Sequence, residues 1–213
     1  MKLFSYISIC ILLCVGVVLL VLPVSWFPSF YDVRYMGIAS FVDAAIILLV
    51  PIFLRVAPDD PDAERKNKGV DLLQFLLTVI LINNALRDLG LYQLYKWGFQ
   101  YDKVIHFGNS FLCTLYIPRI LQSRFGMLKN YTVGMAFTVV VLFGIFWEVY
   151  EFTMDAMLGT HLYGVYGMFD TSDTVFDLLF NTIGVLSGIS ASLYWDTEKV
   201  SSSSASVVLE NGR

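Results

Sequence analysis

The sequence predicts an all-α, polytopic transmembrane helical bundle of about six spans, and three observations carry that prediction. The 213 residues are 57% hydrophobic and only 15% charged, with a mean hydropathy of +0.67, whereas soluble domains run nearer a quarter charged. A soluble core this small has too little interior to hide so much apolar surface. The apolar residues also fall into six stretches near the roughly 20 residues a helix needs to cross a bilayer, divided by proline, tryptophan and clustered charge. Together these exclude an ordinary soluble enzyme and a disordered chain. The net charge of −4 excludes nucleic acid as a partner, since phosphate binding needs clustered Lys and Arg. The expected partner is the lipid bilayer, and the expected location is the cell membrane, crossed several times.

The first span covers about Leu3 to Leu22 behind Lys2 and ends at Pro23 and Pro28. Its apolar run is longer than that of a signal peptide and no small-x-small cleavage site follows, so it reads as an uncleaved helix. The second covers about Tyr35 to Leu54, with Asp43 alone inside it. Residues 58–69 carry both signs of charge and read as a solvated cytoplasmic linker, dividing a two-span segment, 1–57, from a four-span core, 70–197. The core spans run from about Val70 to Leu86, Val104 to Leu121, Thr132 to Met154 and Thr174 to Trp195. Trp26, Trp97, Trp147 and Trp195 fall near span ends, as interfacial anchors do. The Ser-rich tail, 198–213, is expected to be disordered. Ten Lys and Arg residues fall on the side of the two termini and four on the other, which predicts cytoplasmic termini. No internal repeat stands out. Cys10 and Cys14 share a helix face, and with Cys113 they read as buried thiols rather than a metal site or disulfide.

Drawing this topology brings the unusual polar residues to one end of the last four spans. The third span ends Asn83, Asn84, Arg87, Asp88, and the fourth opens Asp102, His106, Asn109. The fifth ends Glu148, Glu151, Asp155, and the sixth begins Asp170, Asp173, Asp177, Asn181. Spacings of three and four put each set on one helical face. Ionisable groups at membrane depth are costly and face a bundle interior or a watery cavity. Like carboxylates in one low-dielectric site repel, so they share protons or gather cations. The expected ligands of a divalent cation are His106, Glu148, Glu151, Asp173 and Asp177. Arg87, Asp102, Asn109, Asp155, Asp170 and Asn181 support them, and His106 and Glu148 are the candidates for any catalytic role. Carboxylate-rich, His-poor coordination favours Mg, Mn or Ca over zinc.

Blander readings stand beside these. Interfacial acids can simply be hydrated, and Asp170, Asp173 and Asp177 suit a helix N-terminus. Gly184 and Gly188 form a small-xxx-small pair of the kind that lets helices approach closely. His161, in the Gly-rich stretch Gly159 to Gly167, reads as incidental. Asp43 reads as a packing or proton-path residue, or equally as a buried protonated carboxyl.

The run Tyr101-Asp102-Lys103-Val104-Ile105-His106-Phe107 resembles the Y-D-[KR]-x-x-H-F element of the YjdF-type bacterial inner-membrane proteins. Ile117-Pro118-Arg119-Ile120-Leu121 sits where that family closes the same helix with an Arg-containing apolar stretch. Trp147-Glu148-Val149-Tyr150-Glu151-Phe152 resembles its Y-E-x-x-E-[WF] element with shifted aromatics, and Asp170 through Asp177 resembles its D-x-x-D-x-x-x-D run. Asp177 through Gly184 is also similar to the late Asp-x-x-x-Asn-x-x-Gly helix of VanZ-like membrane proteins, which share the Asp-Lys-x-x-His-Phe start. The likeness covers roughly residues 70 to 195. It implies a polytopic membrane protein whose His and acids are a family signature, and it implies no activity. The Tyr- and Gly-rich segment from Leu158 to Phe169 departs from the Gly-x-Gln-Gly-Asp pattern of that family.

Three functions compete. One is a binding or accessory protein whose His/carboxylate cup takes a cation or a cationic ligand. A second is a divalent-metal enzyme acting on a lipid or lipid-linked substrate at the outer leaflet, although Gly-x-Ser-x-Gly, His-Glu-x-x-His and the P-loop are all absent. A third is a proton- or cation-coupled transporter, against which stands the gathering of the acids at one end.

Overall fold

The computed structural model describes the backbone of residues 2–27, 33–158 and 171–210, and the side chains within these except 88, 92, 154, 155, 158, 171 and 195–210. His161 and Asp170 lie outside the described residues, as do the side chains of Asp88, Asp155 and Trp195. The described residues form six α-helices: α1 Lys2–Val21, α2 Val33–Leu54, α3 Ala63–Asp88, α4 Tyr101–Phe125, α5 Lys129–Leu158 and α6 Thr171–Glu210. Short 3₁₀ turns follow α1 at Val24–Trp26 and α3 at Leu91–Trp97.

Five of these, α1, α2, α3, α5 and α6, are long and apolar enough to cross a membrane. The fourth expected span, within α4, is long enough at 25 residues but falls short in apolarity. The reason is its position: α4 packs against α3, α5 and α6 at once, so its sides meet protein and carry Ser110, Thr114 and His106 into the interior.

The outer helices are built inside-out, as a bilayer solvent demands. On α1 the buried stripe is Ser5, Ser8, Ile9, Leu12, Gly16 and Leu19, while Leu3, Ile7, Ile11 and Val17 face outward. Small and weakly polar residues let helices approach, and lipid is as apolar as leucine. The same logic corrects the cysteine reading: Cys10 and Cys14 are exposed and Cys113 is half-buried. The two N-terminal thiols share a face, but it is the lipid-facing one.

The N-terminal pair does not stand apart from the core. Ile9, Leu12, Ala44 and Ile47 pack on Leu81, Ile82 and Ala85 of α3, and Thr78 Oγ1 donates to Ser5 Oγ at 3.0 Å. Pro51 lies inside α2 and has no N–H for the carbonyl of Ile47 one turn back. Gln74 of α3, 3% exposed, supplies that donor: its Nε2 lies 3.1 Å from Ile47 O. A side-chain amide thereby satisfies a carbonyl that lipid could not.

At the end carrying Lys2, Asp71 takes ion pairs from both Lys2 and Arg55, tying together α1, α2 and α3. The charged linker is shorter than the sequence predicts, because α3 begins at Ala63 and residues 63–69 are helical. Good helix formers and local ion pairs explain this: Arg65 meets Asp62 at 2.9 Å and Lys66 meets Asp60 at 2.7 Å. Hydrogen bonds from Lys66 and Arg65 hold the Asp60 and Asp62 carboxyls below the usual carboxylate range. Arg65 Nη1 also donates to the carbonyls of Gln122 and Ser123 at 3.2 and 2.8 Å, satisfying the C-terminus of α4.

The backbone of α6 continues to Glu210, past Trp195 and into the segment for which the sequence predicts disorder. No glycine or proline lies between Gly188 and Gly212, so nothing in the backbone chemistry stops the helix.

Candidate functional site

Gly184 and Gly188 set the position of α6. A Cβ at Gly184 would stand 2.4 Å from the Phe107 carbonyl oxygen, and one at Gly188 2.7 Å from that of Phe111. Only glycine permits this approach, so the expected small-residue seam is real and it faces α4. One and two turns earlier on the same stripe stand Asn181 and Asp177. The close seam therefore delivers them against the start of α4, where Ser110 Oγ donates to Asn181 Oδ1 at 2.7 Å.

At that end α3, α4, α5 and α6 bring their polar residues together. Lys103 is 4% exposed, and its Nζ lies 2.6 Å from Asp177 Oδ1, 2.5 Å from Asp173 Oδ1 and 3.5 Å from Asp102 Oδ2. His106 Nε2 is 3.5 Å from Asp177 Oδ1 and 3.6 Å from Asp102 Oδ2. Arg87, from the last turn of α3, places Nε 3.6 Å from Asp102 Oδ1 and Nη1 3.4 Å from Glu151 Oε1. Glu151 also accepts from Trp147 Nε1 at 2.9 Å, so Trp147 serves a buried carboxylate rather than only anchoring a span end. Glu148, one turn from Glu151 on α5, is 5% exposed, and Asp177 is 2% exposed.

Not all of the expected ligands meet. The described donors close enough to hold one metal ion are Asp102, His106 and Asp177, whose ligand atoms lie within 4.8 Å of one another. Asp102 belongs to this set, although the sequence suggests only a supporting role for it. Asp173 is taken by Lys103 and Glu151 by Arg87 and Trp147. Asn109 is half-buried beside His106 on α4. Lys103, which is not among the residues the sequence singles out for the site, is at the centre of the group. Its signal was its i,i+3 spacing before His106, next to the acid it shares.

Hydrogen bonding here is incomplete. Among the described residues six buried side-chain polar atoms lack a hydrogen bond, and five of them are Asp102 Oδ1, Asn109 Oδ1, Glu148 Oε1, Thr174 Oγ1 and Asn181 Nδ2. Three of those five are carboxylate or amide oxygens, which can only accept.

A Thermotoga maritima protein, itself named only "Uncharacterized protein", is 38% identical over 92 residues, 42% of this chain and 46% of that relative. The match thus spans about half the length of that protein. No solved structure matches the chain. One family model covers residues 7–197, nearly all of the six-helix bundle including every residue of the polar end, and the YjdF-type resemblance is consistent with it. With a multi-pass helical fold and the model's match over most of its length, the chain belongs to the family described as "Predicted membrane protein (DUF2238)".

Proposed function

We propose that the polar end of the bundle is a cation-binding cup and that the protein has a binding or accessory role in the cell membrane. The observation that carries this reading is the cluster of unpartnered acceptors around a three-donor set. A buried polar atom without a partner costs free energy, and the bilayer interior offers no water to satisfy it. A cation with its residual water shell gives Asn109 Oδ1 and Glu148 Oε1 the positive partner they lack, and adds to the Arg87 guanidinium already 3.6 Å from Asp102 Oδ1. Asp102, His106 and Asp177 would be its inner ligands. Two carboxylates and one imidazole suit manganese, calcium or magnesium better than zinc.

Manganese binding to the detergent-purified protein, read by electron paramagnetic resonance with calcium and magnesium as competitors, tests this. Saturable binding is expected, weakened roughly tenfold or more in Asp102→Asn, the scale of one charge interaction in a low-dielectric site. If no divalent ion binds at any concentration short of nonspecific association, the reading fails.

We also infer that both termini face the cytoplasm, which opens the cup to the opposite side. The ten-to-four distribution of Lys and Arg supports this. A C-terminal reporter active only in the cytoplasm is expected to be active, and an extracytoplasmic readout reverses the orientation.

A further inference from the structure

The cup already holds a cation that belongs to the chain. Lys103 Nζ and His106 Nε2 converge on the same two oxygens, Asp177 Oδ1 and Asp102 Oδ2. Asp102, His106 and Asp177 are the donors available to an ion. Hard divalent cations sit about 2.0–2.6 Å from carboxylate oxygens, and the ammonium nitrogen stands 2.6 Å from Asp177 Oδ1. An ion of charge two and an ammonium cannot share that oxygen at those distances without strong repulsion. Yet the pocket is not completed by the lysine. Glu148, 5% exposed, keeps Oε1 without a hydrogen bond. The internal ammonium covers Asp177, Asp173 and one side of Asp102, leaving the remaining polar groups for something else.

Resting on the cation-binding reading above, we infer that Lys103 is a tethered counter-ion. It occupies the donor set in the resting protein and gives way when an external divalent cation enters. Its alternative berth is already in contact. Asp173, one turn before Asp177 on α6, receives Nζ at 2.5 Å and its backbone carbonyl lies 3.4 Å away. Asp173 is not among the ion donors. Leaving the donor set therefore costs the lysine Asp177 and its longer contact to Asp102 and keeps Asp173, so displacement needs a shift of the side-chain tip and no helix movement.

This arrangement also sets selectivity. A monovalent ion replaces one unit of charge with another and gains little over the resident ammonium. A divalent ion adds charge to a site with five carboxyl groups, Asp102, Glu148, Glu151, Asp173 and Asp177, against Arg87 and Lys103. Lys103 thus disfavours monovalent ions more than divalent ones.

Two measurements on the detergent-purified full chain test the inference. Manganese titration should show Lys103→Met binding roughly tenfold or more tightly than the native chain. In the native chain, amine-reactive labelling of Lys103, read by mass spectrometry, should rise along the manganese saturation curve as the ammonium leaves its buried position. That second readout stands by itself if Lys103→Met fails to fold. Manganese binding with unchanged labelling of Lys103, or with no gain in Lys103→Met, overturns the counter-ion role and leaves the cation site intact. No manganese binding in either protein overturns the cation-binding reading, and the counter-ion role with it.

Discussion

Asp177→Asn is expected to lower the unfolding free energy of the metal-free protein in detergent by about 3 kcal/mol, and Lys103→Met by a similar amount. The double replacement Lys103→Met with Asp177→Leu is expected to recover most of that loss. Removing one partner of a buried ion pair leaves an uncompensated charge, which costs about 3–5 kcal/mol, whereas an apolar pair of similar volume is often neutral. The lower end applies because each partner keeps a second contact. Without Asp177 the Lys103 ammonium retains Asp173 at 2.5 Å and Asp102 at 3.5 Å. Without Lys103 the Asp177 carboxylate retains His106, at 3.5 Å. Denaturant unfolding of these proteins in one detergent, with Asp177→Leu alone added to close the cycle, gives the coupling energy directly. Single replacements that each cost under about 1 kcal/mol and add linearly would show that the pair is solvated rather than buried, contrary to the 2% exposure of Asp177.

The same pair marks the boundary of what sequence alone makes legible. Helical spacing puts Asp102, His106 and Asn109 on one face, Glu148 and Glu151 on another, and Asp173, Asp177 and Asn181 on a third. Alternating span direction brings those faces to one depth, so the meeting of four helices at a polar end could be read in advance. Periodicity does not say how far one helix is rotated about its axis relative to the next. That rotation decides that Asp102 shares oxygens' reach with His106 and Asp177, while Glu151 turns to Arg87 and Trp147. The choice among carboxylates as ion donors was therefore out of reach.

The spans show the same division. Their ends follow from local chemistry: Pro23 beyond α1, and Gly126 in a left-handed conformation beyond α4. Burial does not follow so simply, because inside a bilayer hydrophobicity no longer points inward. Cys10 and Cys14 look like core residues and face outward, while Ser5 and Ser8 look like surface residues and are buried. Long-range partners such as Gln74 with the Pro51-orphaned carbonyl of Ile47, or Arg65 with the end of α4, need the fold before they can be named.

Gly184→Ala is expected to destabilise the protein by about 2–3 kcal/mol, the upper range for overpacking, and Gly184→Leu by more. The obstacle to the new Cβ is backbone: the Phe107 carbonyl oxygen at 2.4 Å, with Ser110 Cβ at 3.1 Å. Neither is the end of a flexible side chain, so α6 must move off α4 by about 1 Å to restore a normal contact near 3.5 Å. That movement carries Asp177 and Asn181 away from Lys103, His106 and Ser110. Stability and the polar end should therefore fail together, with manganese binding lost in Gly184→Leu where the protein still folds. Gly108 and Gly134 supply the control, since a Cβ at either meets nothing within 4 Å. Alanine there should be neutral or stabilising by up to about 1 kcal/mol through helix propensity. Unfolding midpoints of Gly184→Ala, Gly108→Ala and Gly134→Ala in one detergent decide the matter. Equal tolerance at all three would mean that α6 does not ride on the backbone of α4, and the placement of Asp177 beside Lys103 and His106 would lose its structural cause.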